Sequence, residues 1–146
     1  MTSRFAHLGI AVLTLERAEQ FYQRLGLAVA ERTAFPPEGL RLGFISSGGV
    51  AIELLEPLGP HSSLARFLNT RGPGVHHLAF EVPDIERALA RARGAGMDQI
   101  GDRPRAGAHG TVVAFIHPAS ARGVLVELVQ RPGPQSGGEL VPPTRR

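Results

Sequence analysis

The sequence has no cysteine and no lysine among its 146 residues; all sixteen basic side chains are arginine. The absence of cysteine excludes disulfide frameworks, zinc–thiolate sites and thiol catalysis. It also fits a reducing compartment. No apolar run approaches the roughly 18–20 residues that span a bilayer. The opening MTSRFAHLGIAV lacks the long apolar stretch of a secretory signal. A cytoplasmic protein with no membrane partner is expected. A basic stripe with interleaved aromatics is missing too. The net charge is only +3, and many of the scattered arginines have an acid close by. Nucleic acid is therefore not an expected partner. The computed pI near 10.9 reflects the use of arginine rather than a large charge excess.

What is present is an ordinary globular composition, 42% hydrophobic and 20% charged, which suits one domain. The domain is expected over residues 1–130. It contains one module over about 5–57, a linker over 58–73 and a second module over about 74–130. Residues 131–146, RPGPQSGGELVPPTRR, are rich in Pro, Gly and Ser and read as a disordered tail.

The modules come from an internal repeat. Residues 7–18, HLGIAVLTLERA, match residues 77–88, HLAFEVPDIERA, at six of twelve positions with an offset of 70. Residues 50–55, VAIELL, match residues 124–129, VLVELV, at an offset of 74. Each copy reads as strand, helix and three strands. The strands are placed near 7–13, 28–32, 41–46 and 50–55, then 77–82, 98–102, 111–116 and 123–129, and the helices near 15–25 and 84–95. Asp84 is a candidate N-cap. Gly26 and Gly96 stand where a helix ends in a left-handed residue. Leu64, Phe67 and Leu68 suggest a short helix in the linker. The fold class is α+β, with two β-α-β-β-β modules.

Strand alternation then singles out four polar residues. His7 shares a face with Gly9 and Ala11, and His77 shares one with Ala79, so space is expected on the histidine side. Glu53 and Glu127 are lone acids in apolar strands, a costly arrangement unless something compensates. The histidine and the glutamate recur at equivalent positions, so a pseudo-two-fold would bring all four to one point. Two imidazoles and two carboxylates suit one divalent ion such as Zn²⁺, Co²⁺, Ni²⁺ or Mn²⁺. By alternation His76 faces away from His77, which fits a core or supporting role better than ligation. His109, in AGAHG, lies in a glycine-flanked loop.

At these residues the chain resembles the vicinal-oxygen-chelate superfamily, and within it the methylmalonyl-CoA epimerase family. The resemblance is carried by HLGIAV at 7–12, AIELLEPLG at 51–59, GVHHLAFEV at 74–82, GAHG at 107–110 and FIHP with GVLVEL in 115–128. It implies one curved, partly closed mixed sheet formed by both modules, with His7, Glu53, His77 and Glu127 as metal ligands. It also implies epimerisation of an acyl-CoA by proton abstraction alpha to the thioester, and a homodimer. The base is less determined. The stretch GLRLGFI at 39–45 has no carboxylate, so Glu127 or Glu53 would double as ligand and base, with Glu127 slightly favoured. Arg105 and His109 are expected near the CoA diphosphate. A glyoxalase I-type lyase uses the same ligand types, and a metal-free binding protein shares the fold; the GAHG and GVLVEL contexts favour the epimerase.

Overall fold

The computed structural model describes residues 3–133, so the tail expected over 131–146 lies almost wholly outside the described residues. The elements are β1 (Arg4–Ala11), α1 (Leu15–Arg24), β2 (Val29–Phe35), β3 (Leu40–Ser47), β4 (Val50–Pro57), α2 (Ser63–Arg71), β5 (Gly74–Glu81), α3 (Ile85–Gly94), β6 (Gln99–Ala106), β7 (Val112–Ile116) and β8 (Leu125–Gln130). Single 3-10 turns at Pro36–Glu38 and Ala108–Gly110 follow β2 and β6. The repeated β-α-β-β-β order is present in full, and α2 is the linker helix.

All eight strands form one sheet in the order β2-β3-β4-β1-β5-β8-β7-β6. Exchanging the modules turns this order into its own reverse, which is the pseudo-two-fold expressed in topology. β1 and β5 meet antiparallel at the centre, and each is flanked by a parallel partner, β4 or β8. The sheet is not closed: β2 and β6 are its two edges. Both run past the ends expected from sequence. Edge strands pair on one side only and carry polar residues, and β6 even holds Pro104, so their apolar signal is weak.

Helices α1 and α3 cover the convex side, and α2 packs through Leu64 and Leu68 against Leu42 and Leu55 on the cavity side. Leu15 packs with Val12, Ile45 and Leu54 beneath α1, and Ile85 and Leu89 pack with Val82, Ala114 and Ile116 beneath α3. Burying a Leu or Ile side chain contributes about 2 kcal/mol, so these faces fix the helices to the sheet. Thr14 and Asp84 cap the helices, accepting the N–H of Arg17 and Arg87. A second cap comes from the last strand of each module. Glu56 Oε2 accepts the N–H of Leu15 at 2.7 Å, and Gln130 Oε1 accepts that of Ile85 at 2.8 Å. Each such cap contributes about 1 kcal/mol. Glu56 and Gln130 lie three residues after Glu53 and Glu127, so the helix starts are tied to the strands that carry the two acids. Gly26 and Gly96 take φ of 81° and 75° directly after the helices, as their positions predicted. No helix among the described residues is long and apolar enough to cross a membrane.

Candidate metal centre

The concave face holds a cavity of about 620 Å³, into which His7, His77, Glu53 and Glu127 project. Strand register explains the convergence. Glu53 on β4 is paired with Gly9 on β1, and Gly9 with His77 on β5. One row on, His7 on β1 is paired with Ala79 on β5, and Ala79 with Glu127 on β8. Each row thus carries one acid and one histidine with a small residue between them. Adjacent strands are about 4.8 Å apart, so long side chains two strands apart meet only if the residue between them is small.

Gly9 makes this concrete. A Cβ there would lie 2.2 to 2.6 Å from three atoms of the His77 ring. The imidazole occupies the space that a side chain at position 9 would need. Gly9→Ala is expected to cost about 1–3 kcal/mol of stability, the usual range for overpacking, and to displace His77. Thermal unfolding and metal titration would check this, and a variant with unchanged Tm and metal affinity would contradict it.

Three donor atoms form a tight triangle. His7 Nε2 and His77 Nε2 are 2.9 Å apart, and Glu127 Oε2 lies 3.1 Å from His7 Nε2 and 2.9 Å from His77 Nε2. Ligands about 2.1 Å from one ion and at right angles to each other are separated by about 3 Å, so the donor set fits a divalent ion in type and in spacing. Glu53 Oε2 lies 3.6 Å from His7 Nε2, outside hydrogen-bond range and outside the triangle. It is within reach as a fourth ligand but is not held.

The two carboxylates are therefore in different states. Burial works against ionised Glu127, but hydrogen bonds from His7 and His77 outweigh it and bring its pKa down to about 2. Burial also dominates at Glu53, where the charges of His7, His77 and His109 offset it only in part, and its pKa is raised. At His7 burial is outweighed by the bond to Glu127 and the nearby acid charges, and the pKa rises.

His76 departs from the alternation. Gly9 pairs with His77 but Ile10 pairs with Val75, so His76 is the extra residue of a β-bulge. The bulge turns it to the cavity side, where its Nδ1 is 2.9 Å from His77 Nδ1. Simple period-two reasoning cannot register such a residue. Arg105 and His109 both line the cavity, but each already has a partner from the other module. Arg105 lies 3.6 Å from Glu38, and His109 Nε2 lies 3.0 Å from Glu31. His109 has a left-handed backbone (φ 57°) and its ring packs on Phe44. Glu31 and Glu38 were not singled out by sequence. They stand on the edge strand and its following turn, where nothing marks them apart from other surface acids.

Residues 6–115 match the family model described as the Glyoxalase/Bleomycin resistance protein/Dioxygenase superfamily. The human mitochondrial methylmalonyl-CoA epimerase is 39% identical over 129 residues, covering 87% of this chain and 73% of that protein. The chain belongs to the methylmalonyl-CoA epimerase family. The ethylmalonyl-CoA/methylmalonyl-CoA epimerase of Cereibacter sphaeroides is 42% identical over 134 residues, covering 89% of this chain and 99% of that one. Among solved structures, a variant of the Streptomyces coelicolor methylmalonyl-CoA epimerase, in complex with 2-nitronate-propionyl-CoA, superposes with a TM-score of 0.81 at 33% identity. The match covers 89% of this chain and 98% of that one.

Proposed function

We propose that this chain interconverts (R)- and (S)-methylmalonyl-CoA by removing and returning the proton on the carbon alpha to the thioester. The observation that carries the reading is the triangle of His7, His77 and Glu127 with a second, differently poised carboxylate beside it. His7, His77 and Glu127 would hold the cation, with Glu53 beside them within reach of a fourth position. Bound there, a divalent ion such as Co²⁺, Zn²⁺, Ni²⁺ or Mn²⁺ supplies the positive charge that an enolate requires.

The residues of the chain do the rest. Glu127 is committed to the two histidines and stays ionised. Glu53, with its raised pKa and no comparable hydrogen bonds, is the better proton acceptor, because a base works best when its pKa lies nearer the working pH. The geometry thus favours Glu53 over the Glu127 suggested by sequence. The apolar wall, which includes Leu42, Leu55, Val113 and Val129, limits water around the reacting carbon. Arg105 and His109 stand at the cavity rim, where a CoA diphosphate would compete with Glu38 and Glu31 for them. A homodimer and a cytoplasmic location belong to the same reading.

The test is incubation of the protein with (S)-methylmalonyl-CoA in D₂O. Deuterium is expected to enter at the alpha carbon, to stop entering after chelation, and to resume on adding Co²⁺. A protein loaded with metal that exchanges no alpha proton would overturn the assignment.

A further inference from the structure

The two histidines of the metal centre are related by the pseudo-two-fold, but their surroundings are not equivalent. Each follows a β-bulge. In β5 the inserted residue is His76; in β1 the register passes from Phe5–Phe80 to His7–Ala79, which makes Ala6 the inserted residue. Ala6 and His76 are thus counterparts, and both line the cavity. Only His76 can hydrogen-bond to the histidine that follows it.

Its position is well fixed. The His76 ring meets the Phe67 ring edge-on, with centroids 4.8 Å apart, and Phe67 is carried by α2. On its other side the His76 ring stands at 85° to that of His77, with the two Nδ1 atoms 2.9 Å apart. Two ring nitrogens at that distance share one proton, so one donates and the other accepts. The choice is forced by the opposite end of His77. A nitrogen that ligates a cation must present a bare lone pair, so a neutral His77 that binds through Nε2 carries its hydrogen on Nδ1. That N–H is buried with the rest of the side chain, which is 3% exposed as a residue. Left without an acceptor it would be costly.

We propose that His76 is a positioning residue for the metal centre: its Nδ1 accepts the Nδ1–H of His77 and so leaves the His77 Nε2 lone pair to the cation. The proposal rests on the metal reading above. It makes the linker helix, through Phe67, part of the support for a ligand on β5. It also makes the two histidines unequal, with His77 held in one tautomer and His7 without a matching imidazole.

Asparagine and leucine separate this role from packing. In asparagine the amide oxygen takes the place of Nδ1 and still accepts a hydrogen bond; leucine has the same branching and accepts none. Calorimetric Co²⁺ titration of His76→Leu is expected to show affinity reduced about 10–100-fold, with a changed visible Co²⁺ spectrum. His76→Asn is expected to stay within a few-fold of the unsubstituted protein. Equal affinity for the leucine variant, or equal losses for both variants, would overturn the proposal. If the unsubstituted protein binds no Co²⁺, the metal reading fails first and takes this one with it. Nitrogen-15 NMR of the histidine rings in the unsubstituted, Zn²⁺-loaded protein gives an independent readout that does not depend on variant folding. Hydrogen on His77 Nδ1 and none on His76 Nδ1 is expected, and the reverse would sink the idea.

Discussion

Glu127→Gln is expected to lower kcat/KM for methylmalonyl-CoA epimerisation by about 10³-fold, the scale seen when one electrostatic stabiliser is removed from an active site. It should also abolish tight binding of Co²⁺ or Zn²⁺. Glutamine keeps the shape and one carbonyl oxygen but loses the charge on which the site is built. In the protein a single oxygen, Oε2, meets both His7 Nε2 and His77 Nε2. The metal-free variant should be less stable as well. The Glu127 pKa falls from 4.5 to about 2, and at about 1.36 kcal/mol per unit this corresponds to about 3 kcal/mol. A carboxylate with a depressed pKa contributes its stability above the unfolded value, so the contribution is complete at neutral pH. It fades as the pH falls from 4.5 towards 2. The raised pKa of His7 is the same interaction seen from the other partner and adds nothing further. Denaturant unfolding of both proteins in chelator at pH 7 and at pH 3 measures this directly. The gap between them should narrow at the lower pH. Unchanged Co²⁺ affinity in the glutamine variant would remove Glu127 from the metal centre.

Much of this site was legible in the sequence because gene-level repetition left it there twice. His7 with His77 and Glu53 with Glu127 recur at fixed offsets, and the topology converts that recurrence into a pseudo-two-fold. Strict alternation puts Ala51, Glu53 and Leu55 on one face and Leu125, Glu127 and Val129 on one face, and β4 and β8 carry all six to the cavity in regular register. It failed at His76 because a bulge adds one residue to one strand and shifts the parity there. The same logic explains Gly9. A small residue beside a histidine was visible as a pattern, but its reason is a register contact between β1 and β5 that no local reading contains. Glu31 and Glu38 were invisible for a different cause. They reach Arg105 and His109 only because the two edges of an open sheet curve towards each other. Curvature is a property of the whole sheet.

Glu53→Gln separates the ligand role from the base role. If Glu53 carries the proton, the variant should keep most of its Co²⁺ affinity, because His7, His77 and Glu127 remain. Its kcat should fall by about 10²–10⁴-fold, the range for loss of a positioned general base. Substrate binding should change little, since the CoA portion is held elsewhere. The pH profile gives the sharper signature. Burial raises the Glu53 pKa above the ordinary carboxylate value, so its basic form is lost, and turnover falls, at a higher pH than for an exposed glutamate. The glutamine variant should lack that acidic limb. The opposite result, lost metal affinity with the acidic limb intact in the metal-saturated variant, would make Glu53 a ligand only and return the proton transfer to Glu127. That outcome would demand that Glu127 leave its place between His7 and His77 during turnover. Glu53 is not held in that way. Its oxygen stands 3.6 Å from His7 Nε2, close enough to be steadied by a positive charge and far enough to move towards a substrate carbon.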